Sequence, residues 1–158
     1  MMHPNYIYQI AFSQLYGIGP IRAKRLLKIL DSPKDFFELS LQELQHKTSI
    51  SLKQLELANR NAALLAAQTQ EPYLNRSDLQ YFFTSDAAFP KQLKECPDAP
   101  LGLFYRGTQP QWNQQRTLAI VGTRQETSYG KQIVKELLAA LPKDILIVSG
   151  LAQGVDAD

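Results

Sequence analysis

LAIVGTR at residues 118–124 and ILIVSGLAQGVD at residues 145–156 are each a short apolar run that ends in a glycine-containing loop, and their reading decides the fold. Strands buried in a parallel sheet read as unbroken Val/Ile/Leu runs, and ligands of open α/β sheets sit at the strands' carboxyl ends, where both loops fall. The spacing predicts a strand over 117–121, a helix over 129–141 and a strand over 145–148. That is one βαβ unit with a right-handed crossover. Its two loops, side by side, have the makings of an anion cradle.

In the first loop Gly122 allows a sharp turn after the strand, Thr123 offers a hydroxyl, and Arg124 carries a planar guanidinium suited to bidentate phosphate contact. Ser128 is placed as the N-cap of the next helix, whose free N–H groups favour an anion. In the second loop Ser149 adds a hydroxyl, while Gly150 and Gly154 permit close backbone approach. These residues suit a phosphate or sugar-phosphate. For either loop alone, the plain alternative is a βα turn that needs glycine for its own geometry. Neither loop matches GxGxxG with a downstream acid, so no dinucleotide is expected and no cofactor is assigned.

Upstream, as far as about residue 75, apolar residues recur at helical spacing. Ser32 before Pro33 suits N-cap and N1 places, Ser40 with Glu43 and Ser51 with Gln54 suit capping boxes, and a long helix is expected from Leu52 to near Pro72. The pattern predicts four or five helices. Within them LYGIGPIRAKRLL at residues 15–27 has the helix-hairpin-helix pattern. Gly17 and Gly19 allow a tight hairpin whose amides can meet a DNA phosphate, and Arg22, Lys24, Arg25 and Lys28 follow on the next helix. Such contacts hold a backbone without reading sequence. The alternative is a helix turn whose cations form a solvated face.

From Leu79 short β-type runs take over. LQYFFTSD and LGLFYRG read as strands on either side of an irregular, proline-punctuated FPKQLKECPDAP, and TQPQWNQQ reads as a loop. The domain boundary is accordingly set between residues 75 and 76.

A hydrophobic share of 44% and a charged share of 20% fit a globular chain and exclude collagenous, disordered and membrane classes. No apolar run approaches the roughly 18 residues of a transmembrane helix, and the first residues lack the pattern of a secretory signal. Cys96 stands alone and cannot form an internal disulfide, so a cytoplasmic setting is expected. The net charge of +2 announces no polyanion partner by itself. Its distribution is uneven: residues 1–60 carry eight Lys/Arg against five Asp/Glu, the rest nine against ten.

Other chemistry is thinly represented. His3 and His46 lie far apart without metal-ligand spacing, so no metal site is expected. Cys96 has no activating neighbour in sequence, and Ser149 lacks a nucleophile elbow. Asp156 could act on a ligand, but at a helix start it reads first as a cap or dipole partner. Tyr81, Phe82, Phe83, Phe104 and Tyr105 read as core, the lesser alternative being that one of them stacks on a base. No catalytic centre emerges, and the chain is read as a non-enzyme.

In order along the chain, FPKQLKECPDAPLGLFYRG (89–107), LAIVGTRQETSYGKQIVKELLAAL (118–141) and IVSGLAQGVDAD (147–158) resemble the DNA-processing protein A family, DprA or Smf. The helix-hairpin-helix-like GIGPIRAKRLL sits where that family often carries a small helical domain. The resemblance implies an α/β chain: a helical (helix-hairpin-helix or SAM-like) domain over 1–75, then over 76–158 the first part of a Rossmann-like parallel-sheet domain. It implies single-stranded DNA binding in DNA uptake, natural transformation and recombination, with loading of a RecA-type recombinase and a homodimer in full-length members. Carried over by position, Arg124 holds a DNA phosphate, and Gly122, Ser149, Gly150 and Gly154 shape the pocket floor. Family members continue beyond the GxD motif, so a truncated product or fragment is expected, with an uncovered apolar face on its sheet. Two other readings remain open: a pocket for a small phosphorylated ligand or nucleotide, and a vestigial module whose helices dock a protein partner.

Overall fold

The computed structural model describes residues 6–74, 78–108, 111–113 and 116–157. The chain forms two compact units, Met1–Gln109 and Pro110–Asp158.

The first unit opens with α1 (Tyr6–Ser13), the glycine hairpin and α2 (Pro20–Leu26), then α3 (Asp35–Glu38), α4 (Leu41–Thr48), α5 (Leu52–Leu57) and α6 (Arg60–Leu74). Among the described residues helical periodicity thus yields six helices where four or five were expected. The long helix expected from Leu52 is broken at Asn59, whose φ of 47° is left-handed. The Asn59 side chain then accepts the Ala62 N–H and starts α6 afresh. Pro72 lies inside α6, near its end, where little helix remains for the missing N–H to disrupt.

The Ser40–Glu43 capping box is complete, with both reciprocal bonds made, and Ser51 accepts the Gln54 N–H at the start of α5. Ser32 is not a cap. Its N–H and hydroxyl instead donate to the Asp35 carboxylate, and Lys34 occupies the N-cap place of α3. Arg60 secures the other end of α3, donating from one guanidinium nitrogen to the carbonyls of Phe36 (3.1 Å) and Leu39 (2.6 Å).

Phe12, Phe36, Ile10, Leu44 and Leu55 form the centre of the core, with Phe12 and Phe36 edge to face at 5.5 Å. The hairpin of β1 (Leu79–Phe83) and β2 (Gly102–Arg106), antiparallel with Tyr81 opposite Phe104, joins this same core through Phe83 and Leu101. For that reason the compact units part at residues 109 and 110, whereas the sequence reading places the boundary at 75 and 76. Burial of one apolar face of a two-stranded hairpin, which is marginal alone, ties it to the helices. Between its strands the stretch expected to be irregular forms α7 (Lys91–Glu95), with Pro90 in the N-cap place where its missing N–H costs nothing.

In the second unit β3 (Arg116–Ala119) and β4 (Ile145–Val148) pair in parallel, Leu118 opposite Ile147, joined by α8 (Ser128–Ala140). This is the βαβ unit expected from sequence, with the first strand starting and ending slightly earlier. The cap of α8 is Thr127, whose hydroxyl accepts the Gly130 N–H; Ser128 is already the first helical residue. None of the unit's described residues is fully buried. Val148 on the sheet is 46% exposed and Leu137 on α8 47%. Parallel sheets ordinarily have both faces covered, whereas here apolar side chains of strand and helix alike remain exposed.

Candidate nucleic-acid interface

The loop after β3 and the loop after β4 do lie side by side, and Asp156 is what fastens them. One carboxylate oxygen accepts the Gly122 N–H at 2.9 Å and the other accepts the Gly150 N–H at 3.2 Å. The Ser149 hydroxyl donates to the Asp156 carbonyl at 2.8 Å, and the Val155 N–H donates to the Thr123 carbonyl at 3.2 Å. A residue read from sequence as a mere cap is therefore the clamp between the two loops. Its role was not visible beforehand because the pairing joins positions 34 residues apart.

Two glycines make this approach possible. At Gly154, with φ at +95°, a Cβ would stand 2.2 Å from the Thr123 carbonyl oxygen and 2.8 Å from the Arg124 Cα. At Gly122 it would overlap the Val155 side chain at 2.4 Å. Gly154 brings backbone against backbone, and Gly122 makes room for the Val155 side chain, both within the protein. Ser149 is likewise turned inward, accepting the Leu151 N–H as well as donating to Asp156. Its hydroxyl and the Gly122 and Gly150 amides are thus satisfied within the protein and maintain the loops' shape.

Outward-facing chemistry is left to Thr123 and Arg124. The Thr123 oxygen accepts the Gln125 N–H and keeps its own proton to donate. Arg124 is exposed and forms no ion pair among the described residues. Elsewhere in the unit Arg116 is committed to Asp144 at 3.0 Å, a hydrogen bond that holds the Asp144 carboxyl below the usual carboxylate range.

In the first unit the hairpin between α1 and α2 also forms. Gly17 takes a φ of +70°, a conformation that favours glycine, while Gly19 is extended and serves as the N-cap of α2. Arg22 reaches back to the Gly17 carbonyl at 3.3 Å. Gly17, Gly19, Arg22 and Arg25 surround a depression of about 400 Å³ together with Asp98. Lys24 does not join them: its ammonium donates to the Cys96 carbonyl at 2.6 Å. Residues 22 and 25 share one side of the helix and Lys24 lies on another, as helical spacing requires, whereas Lys28, expected on the same helix, falls just past its end.

The remaining candidates divide. Phe83 and Phe82 are core, as read, but Phe104 is 46% exposed with its ring 5.1 Å from that of Tyr81. Burial pushes the Tyr81 hydroxyl well above the ordinary phenol range. Cys96 is exposed, His46 lies in the last turn of α4, and His3 falls outside the described residues.

Residues 80–158, which hold both loops, match the family model of DNA recombination-mediator protein A. The chain belongs to that family. The recombination-mediator match begins within β1 and so takes in the hairpin of the first unit as well as the whole of the second. Over its full length the chain is 30% identical to Protein Smf of Synechocystis, of which it spans 41%. Over 73 residues it is 42% identical to the DNA processing protein DprA of Bacillus subtilis. The X-ray structure of DprA from Streptococcus pneumoniae superimposes on 99% of the chain with a TM-score of 0.62 at 25% identity, and the chain covers 52% of it. The chain thus spans less than half of the Synechocystis relative and about half of the pneumococcal structure. No helix among the described residues is long and apolar enough to cross a membrane.

Proposed function

We propose that the chain serves DNA processing in recombination by holding the phosphate backbone of single-stranded DNA, without catalysing a reaction. The observation that supports this most is Arg124, an exposed guanidinium without an ion-pair partner among the described residues, carried on a loop clamped by Asp156. A guanidinium fork carried on a clamped loop can meet phosphate oxygens in bidentate geometry and reads no base. Thr123 adds a donor beside it. Gly122, Ser149, Gly150 and Gly154 act indirectly by maintaining the loop pair, and Gly17, Gly19 and Arg22 supply a weaker backbone contact in the first unit. The relatives' names, DNA processing protein and recombination-mediator protein, agree with this reading.

In the cell the strand enters by DNA uptake and natural transformation, and it passes to a RecA-type recombinase in the cytoplasm, with the protein acting as a homodimer. Competition tests the ligand class. A labelled oligonucleotide bound to the chain is titrated with a mononucleotide and, separately, with unlabelled strand. Displacement by mononucleotide only at concentrations far above those of the strand supports the proposal. Equal potency of the two would replace it with a pocket for a small phosphorylated ligand.

A further inference from the structure

We infer that a lysine-lined cleft in the first unit is a second contact for the strand's phosphate backbone, separate from Arg124. The inference rests on the single-strand reading above. The cleft, about 700 Å³, lies between the end of α2 with the segment leading to α3 on one side and the β1–α7 connection with α7 on the other. Lys24, Lys28, Lys34 and Lys94 line it against one acid, Asp31. Thr84 and Ser85 add hydroxyls to its wall.

The four ammonium groups are held to different degrees. Lys24 spends one donor on the Cys96 carbonyl and keeps two. Lys34 pairs with Glu38 at 3.0 Å, an exposed bridge of the kind that contributes little and exchanges readily for another anion. Lys28 and Lys94 form no ion pair among the described residues. Like charges gathered on a concave wall repel one another and lend the folded unit no stability. The same arrangement focuses a positive potential into the cleft.

The geometry favours a backbone over a single bound phosphate. The cleft is far larger than one phosphate group, and its cations are flexible point charges, suited to following successive phosphates. Among the described residues no aromatic side chain lines it, so base stacking is not expected and the contact is indifferent to sequence. It is distinct from the hairpin depression of Arg22 and Arg25, which faces another side of α2.

The test compares the parent chain, Lys28→Gln/Lys94→Gln, Lys28→Arg/Lys94→Arg and Arg124→Ala in oligo(dT) binding across a salt series. Neither lysine supports a described contact, so the charge-neutral pair is expected to keep the parent's fold. Loss of two phosphate contacts lowers the slope of log K against log salt by about 1.4 and weakens binding roughly 25-fold near about 0.1 M salt. The arginine pair is expected to keep the parent slope. If the parent binds and Arg124→Ala weakens it while the glutamine pair leaves slope and affinity unchanged, the cleft is refuted and the loop site stands. If the parent does not bind oligo(dT), the single-strand reading fails and the cleft falls with it.

Discussion

Asp156→Asn probes the loop pair most sharply, because the two carboxylate oxygens have separate tasks. One accepts from Gly122 and the other from Gly150. Asparagine has a single acceptor oxygen, so at least one amide must face an NH2 group instead. A hydrogen bond to a charged acceptor contributes about 1.5–3 kcal/mol where it is shielded. Both glycines here are exposed, and screening reduces the loss to about 1 kcal/mol. That corresponds to roughly a fivefold faster amide exchange at residue 122 or 150, measured by NMR under conditions where local opening and reclosing are fast relative to exchange. DNA affinity is a poorer readout for this variant: removing a carboxylate near the site favours a polyanion while loosening the clamp disfavours it. Exchange reports the clamp alone. Unchanged exchange at both amides would refute the bridging role of Asp156.

Three further outcomes follow from the first unit. Phe36→Ala removes a fully buried ring packed on Phe12 and is expected to cost about 3–5 kcal/mol in denaturant unfolding; a cost below about 1 kcal/mol would mean the core is not built around it. Gly102→Ala places a Cβ 2.0 Å from the Tyr81 hydroxyl, so the ring must shift, and a loss of about 1–3 kcal/mol, or about 4–8 °C in Tm per kcal/mol, is expected. The hydroxyl and backbone N–H of Ser40 hold the Glu43 carboxyl below the usual glutamate range. A depressed carboxylate stabilises above its unfolded pKa and loses that contribution as pH falls through the folded value, so α4 should weaken on acidification. In Glu43→Gln this part of the acid dependence should vanish from a pH series of thermal melts; an identical profile would count against the box.

The sequence was most legible where one signal acted locally. The apolar runs before Gly122 and Ser149 fixed two parallel strands, and Ser40 with Glu43 fixed a helix start, because each depends only on neighbours in the chain. Legibility failed where distant residues decide. Asn59 breaks a helical pattern that runs through it, since a side chain that starts the next helix outweighs apolar periodicity. The hairpin's allegiance to the helices depends on Phe83 and Leu101 reaching the core, which no local composition shift announces. Ser149 looked like a hydroxyl offered to ligand, yet it is consumed by Asp156 and Leu151. Of the candidate site, Arg124 is read from sequence as a phosphate contact and the structure leaves it exposed, while Asp156, which organises its surroundings, could not be recognised from local sequence.

Arg124 is the group proposed to meet the strand. The most direct measurement is a fluorescence anisotropy titration of a labelled single-stranded oligonucleotide with the parent chain and with Arg124→Ala at one fixed salt concentration. A lost charge-assisted phosphate contact, about 1.5–3 kcal/mol, predicts binding weaker by roughly 10-fold or more in the variant. Equal affinity of the two proteins, with the variant's fold intact by circular dichroism, would contradict the account.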